Sequence, residues 1–146
     1  MNQIQQKTVL FSNHFELTEQ VINVLTKETS WESRYRAIML LGKQLPLLDE
    51  DLKREEAQVQ GCESKVWLNY YWQDEHLHLA ASSDAKIVKG LVAIVLAIFN
   101  KKQKQDITHF DVNSFFETIQ LTKNLSPSRT NGLFAMVEEI RTIASN

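Results

Sequence analysis

From Ile87 to Phe99 the chain carries Ile87, Val88, Leu91, Val92, Ile94, Val95, Leu96, Ile98 and Phe99, so a helix here is apolar around nearly its whole circumference. Such a helix cannot lie on a surface and belongs in the middle of a core. Its most apolar part, Gly90 to Phe99, falls short of the roughly 20 residues a membrane span needs. Other elements must therefore cover it. Ser82, Ser83 or Asp84 is expected to cap its start. It ends at Asn100, where Lys101, Lys102 and Lys104 complement the negative end of the helix dipole.

The flanking segments supply that cover. Met1 to Phe15 is polar with scattered apolar residues and reads as a loosely ordered lead-in. Leu17, Val21, Ile22 and Leu25 repeat at helical spacing. Thr29 with Glu32 reads as a capping box opening a helix that carries Trp31, Tyr35, Ile38 and Met39, and ends before Pro46. Asp49 to Glu56 is a mixed charge run, expected as a short solvated helix. Val66 to Trp72 has strand composition, and His76-Leu77-His78-Leu79 alternates with period two. With Gln73, Asp74 and Glu75 as a polar turn, the two read as an antiparallel hairpin. Phe115, Phe116 and Ile119 suggest a further short helix. Ser126-Pro127 is a cap followed by proline at the first helical position, opening a last helix with Leu133, Met136, Val137, Ile140 and Ile143. The expected class is α+β, a small antiparallel sheet packed against several helices in one domain over residues 1–146.

Composition narrows the function. With 43% apolar and 23% charged residues the chain is of ordinary globular make-up. A net charge of −2 lacks the basic excess expected of a nucleic-acid or anionic-membrane binder. Cys62 is the single cysteine, which excludes an intrachain disulfide, a four-cysteine zinc site and a cluster held by this chain's thiolates alone. Met1 to Phe11 is Gln-rich, without the apolar core of a signal peptide, and a reducing cytoplasm is the expected compartment. Gly42, Gly61, Gly90 and Gly132 are isolated and form no phosphate-binding loop.

Chemistry can sit in few places. Cys62 lies in Gln60-Gly61-Cys62-Glu63-Ser64, between the charge run and the first strand, where a thiol can be accessible. It can equally be a small buried hydrophobe. His76 and His78 share a strand face at a spacing that could hold zinc, but no third ligand is evident. Asp111, two residues after His109, reads as a helix cap.

Val59-Gln60-Gly61-Cys62-Glu63-Ser64-Lys65-Val66-Trp67 resembles the active-site segment of the SufE/CsdE family of sulfur-acceptor proteins. Three further blocks are similar to the family, in family order. Trp31-Glu32 with Tyr35 and Leu41-Gly42-Lys43-Gln44-Leu45-Pro46 precede the cysteine. Ser83-Asp84-Ala85-Lys86-Ile87-Val88-Lys89-Gly90-Leu91 opens the central helix, and Leu125-Ser126-Pro127-Ser128-Arg129-Thr130-Asn131-Gly132-Leu133 opens the last one. The charged segment and the Gly-Cys-Glu-Ser block lean towards CsdE, whereas Asp111-Val112 and Ser-Pro-Ser-Arg look equally like SufE. Ser82 stands where many SufE sequences carry an acidic residue.

The resemblance implies a fold like that of iron–sulfur scaffold proteins and a role as sulfur acceptor. The partner it implies is a cysteine desulfurase of the SufS/CsdA type, and pyridoxal phosphate would belong to that partner, with no cofactor on this chain. Cys62 would take sulfane sulfur as a persulfide, stimulate the desulfurase, and pass sulfur to a downstream acceptor such as a cluster scaffold complex. Gly61, Glu63, Ser64, Trp67, Asp84 and Arg129 are expected to bind the partner or support the loop. Arg129, near a helix N-terminus where the dipole disfavours a cation, is expected to find a carboxylate such as Asp84 or the loop carbonyls near Cys62. Val66, Trp67 and the central helix around Ile87 and Leu91 are the apolar surface expected to shelter the sulfur. The rival readings are a non-catalytic interaction module and a thiol-based redox sensor.

Overall fold

The computed structural model describes residues 1–16 and 18–146, so Leu17 of the expected helical stripe lies outside the described residues. The apolar run becomes α4 (Lys86–Phe99), in which every residue from Gly90 to Phe99 is buried. Against it stand α2 (Thr18–Lys27), α3 (Trp31–Lys43) and a sheet of β1 (Val66–Gln73), β2 (His76–Ser83) and β3 (Lys102–Gln103), and α1 (Gln3–His14) packs on that sheet. The chain continues through α5 (Lys104–His109), α6 (Val112–Thr118) and α7 (Leu121–Asn124) to α8 (Pro127–Ser145). This is the α+β arrangement expected, with a three-stranded antiparallel sheet in the order β1-β2-β3.

The hairpin forms as read, Val66 opposite Ser83 and Gln73 opposite His76. Its tight turn is Asp74-Glu75, both left-handed at φ 51° and 66°, which suits the twist of the flanking strands without an Asn-Gly pair. β1 is not left bare on its outer side. Gln58 bridges Trp67, and the Val59 N–H donates to the Val66 carbonyl at 2.9 Å, so the chain before the strand folds back as a short edge.

Helix packing is closest where α3 crosses α4. A Cβ on Gly90 would stand 2.3 Å from the Ile38 carbonyl oxygen, and one on Gly42 would stand 2.7 Å from the Gly90 nitrogen. Only glycine permits that approach.

Four expectations change. The loose lead-in is instead α1, held by a capping box between Asn2 and Gln5, with Thr8, Phe11 and Ser12 buried against the sheet. Its docking is partly polar, which hydropathy cannot register. Ser12 Oγ donates to Asn100 Oδ1 at 2.8 Å and sits 2.8 Å from His78 Nδ1, and Asn100 Oδ1 also accepts from the Leu79 N–H. The cap of α3 is Ser30, accepting from Ser33, not Thr29. Ala85 occupies the N-cap of α4 with no side-chain bond of its own; Ser83 Oγ accepts from the Ala85 N–H at 3.3 Å and donates to the Lys65 carbonyl at 2.6 Å, serving the turn before the helix. The charge run forms two 3-10 turns, Glu50–Leu52 and Glu55–Ala57, rather than a solvated helix. Leu52 and Ala57 are buried there, and Lys7 of α1 pairs with Asp49 and Asp51.

Candidate functional site

The loop from Gln60 to Lys65 is closed at both ends. On its entry side the Val59–Val66 bond and the Gln58–Trp67 bridge hold it against β1. On its exit side the Lys65 carbonyl accepts from the Ser83 hydroxyl and, at 3.4 Å, from the Asp84 N–H. Between these anchors Gly61 adopts φ +90°, a left-handed conformation that strains any other residue. That reversal turns Cys62 inward against α8.

Cys62 is half-buried. Its thiol donates to the Gly132 carbonyl of α8 across 3.6 Å, a long contact of the kind sulfur makes. Beside it lies a cavity of about 220 Å³. Val88 and Leu91 of α4 and Leu133 and Met136 of α8 give the cavity an apolar floor, while Glu63, Ser64, Ser128 and Arg129 form its polar rim. Burial pushes the Cys62 thiol above its ordinary pKa, and the carboxylate of Glu139, farther along α8, adds to the rise. Glu139 is itself shifted upward by burial. Both influences favour the neutral thiol over the thiolate, which is the nucleophilic form.

The expected site residues divide. Cys62, Glu63, Ser64 and Arg129 meet at the cavity, and Gly61 makes the turn that brings the sulfur there. Arg129 is exposed and, among the described residues, pairs with neither Asp84 nor another carboxylate. That corrects the tertiary partner expected for it. Asp84 is exposed and contributes to the loop through its backbone N–H. Trp67 does not line the cavity. It is buried at 8% exposure, opposite Ser82, with the Lys53 ammonium 5.6 Å from its ring centroid. Of the expected sheltering surface, the central helix around Ile87 and Leu91 is at the cavity through Val88 and Leu91, whereas Val66 and Trp67 do not line it and α8 stands there instead.

The α8 wall was the part missed in the sequence. A glycine inside the longest helix is the signal that could have revealed it, since Gly132 is costly there unless something approaches closely. The two histidines serve other ends: His76 Nδ1 meets the Asp74 carbonyl at 2.7 Å and His78 faces Ser12. Among the described residues there is no group of three His, Cys, Asp or Glu side chains placed to hold a metal ion. Asp111 caps α6 through the Ser114 N–H. No helix among the described residues is long and apolar enough to cross a membrane.

Residues 19–144 match the SufE family, an Fe-S metabolism associated domain. Among solved structures, a hypothetical protein from Thermus thermophilus, determined in solution, is similar in fold with a TM-score of 0.69 at 14% identity. The similarity covers 88% of this chain and 93% of that one.

Proposed function

The chain belongs to the SufE family, a domain associated with Fe–S metabolism, and on that premise we propose that it is a sulfur carrier working through Cys62. Its donor is the persulfide of a cysteine desulfurase, a pyridoxal-phosphate enzyme, and its acceptor is a component of cluster assembly or another sulfur-using pathway. The observation that carries this reading is a single thiol on a twice-anchored loop, opening on a cavity larger than the thiol needs. One thiol suffices for a carrier, whereas a cluster scaffold needs several ligands.

The chemistry is thiol–disulfide exchange. The Cys62 thiolate attacks the outer sulfur of the donor persulfide, a new S–S bond forms on Cys62, and the donor's S–S bond breaks. The enzyme cysteine leaves as a thiolate, so one sulfane sulfur moves with no net redox change. Clearing the donor cysteine frees it for another cycle, which raises desulfurase turnover. The acceptor's thiolate then repeats the exchange on the Cys62 persulfide.

Two demands on the loop follow. Small thiols of a reducing cytoplasm would strip an exposed persulfide, because exchange depends on access. The apolar floor of Val88, Leu91, Leu133 and Met136 supports shelter between transfers. Delivery needs Gln60 to Ser64 to swing out about the two anchors, and partner binding must offset the lost contacts. The test is sulfide release by a desulfurase with and without this protein at saturating cysteine and reductant. Stimulation that Cys62→Ser abolishes is expected; no stimulation by the wild-type chain with any desulfurase of the SufS or CsdA type overturns the reading.

A further inference from the structure

Gly132 lies inside α8 with an ordinary helical φ, so conformational freedom does not explain it. A glycine there costs the helix about 1 kcal/mol relative to alanine. What occupies the missing side chain's surroundings is Cys62. A Cβ on residue 132 would stand 3.4 Å from the Cys62 sulfur, 3.7 Å from its Cα and 3.8 Å from its Cβ. Those are ordinary contact distances, so a methyl fits, whereas the two γ carbons of a branched side chain add bulk beyond that contact. One turn on, a Cβ on Gly61 would stand 3.4 Å from that of Ala135, so the tip of the loop leans on the same helix face.

We propose that Gly132 is the positioning residue of the Cys62 loop: its bare Cα and its carbonyl form the seat of the sulfur, and the size of residue 132 sets how often that sulfur is sheltered. The purpose of the seat rests on the carrier reading above, but its existence is a property of the free protein. The seat accepts a neutral S–H as donor to the carbonyl. A larger side chain transfers population to the open loop without touching the two anchors, since those lie on β1 and at the end of β2.

The test is alkylation of Cys62 by iodoacetamide in the free protein, for Gly132→Ala and Gly132→Val. Neither alanine nor valine is a worse helix former than glycine, so loss of α8 does not confound the comparison. The alanine variant, at contact distance, is expected to react within about twofold of wild type, and the valine variant about tenfold faster, as a minor open state becomes dominant. A folded valine variant that reacts at the wild-type rate overturns the proposal. Should the valine variant fail to fold, adding Cys62→Gly decides: recovered folding places the conflict at Cys62 and supports the seat, and persistent unfolding overturns it. Desulfurase stimulation is read separately on wild type. Its failure would remove the carrier reading and leave the seat standing, whereas unchanged alkylation would do the reverse.

Discussion

The Cys62 sulfur stands 3.6 Å from the carbonyl oxygen of Gly132, a residue 70 positions later in the chain. The contact joins the Cys62 loop to α8, and it makes two states of the sulfur distinguishable. Seated, the thiol donates to a carbonyl, borders an apolar floor and has Glu139 nearby, all of which disfavour its anion. Swung out, it meets water or a partner and loses all three influences. A loop that opens on docking, as the carrier proposal requires, would gain thiolate together with access.

That coupling has a pH signature. A thiol whose pKa is raised on folding stabilises the seated loop fully below the ordinary thiol pKa, about 8.5. This stabilisation is lost as pH rises through the raised value. The charged groups facing Cys62 are Glu63 on its own loop and Arg129 and Glu139 on α8; α4 contributes only Val88 and Leu91 to the cavity. The midpoint of the alkylation rate against pH should lie above that of the unfolded chain. Glu139→Gln should lower it part of the way, since burial is the larger cause. A midpoint equal to the unfolded control would contradict the buried seat.

The serine variant separates chemistry from packing. Cys62→Ser should keep the fold, because the side chain is only half-buried and its one polar contact is long. It should retain no sulfane sulfur after reaction with desulfurase and cysteine, since a hydroxyl forms no persulfide. Radiolabelled sulfur remaining on the variant after desalting would show a second acceptor position.

Gly90→Ala should destabilise the protein by about 1–3 kcal/mol through crowding of α3 against α4. The Cβ would lie 2.3 Å from the Ile38 carbonyl, which is backbone and cannot step aside. Urea unfolding measures this directly, and an unchanged midpoint would mean that the two helices are not held at this spacing.

The polar lock under α1 should respond to acid. Burial lowers the pKa of His78, with Lys101 adding to the effect. Its contribution is therefore present above the ordinary histidine value, about 6.5, and lost as pH falls through the lowered one. Ser12→Ala leaves Asn100 and His78 short of a buried partner and should cost about 1–3 kcal/mol at neutral pH. Stability that shows no fall between neutral and mildly acid pH would exclude the lock.

Much of the architecture was legible because it is written in periodicity. The all-round apolar helix, the hairpin and the Ser126-Pro127 start each rest on a local pattern with a direct physical cause. α1 escaped because its buried face includes Thr8 and Ser12, whose burial is made possible by partners far along the chain. The cap of α3 was misplaced by one residue, since Thr29 and Ser30 are alike as caps and Ser30 acts locally through Ser33. At α4, Ser83 accepts from the Ala85 N–H and donates to the Lys65 carbonyl, so it serves the turn before the helix and Ala85 takes the cap position. At the site, Cys62 was evident from its uniqueness and its motif, but the wall it rests on is formed by residues near the C-terminus. Ala135 and Glu139 lie in no motif, and Gly132, though inside the Leu125–Leu133 block, takes its role only from the tertiary approach of the loop.

The central claim is that Cys62 carries the sulfur, and intact-mass analysis tests it most directly. The protein is mixed with a desulfurase, free cysteine and pyridoxal phosphate without reductant, and weighed whole. The account predicts a gain of one or more sulfur atoms, located to Cys62 by fragmentation, removed by reductant and absent in Cys62→Ser. An unchanged mass with an active desulfurase, or a gain that persists in the serine variant, would contradict it.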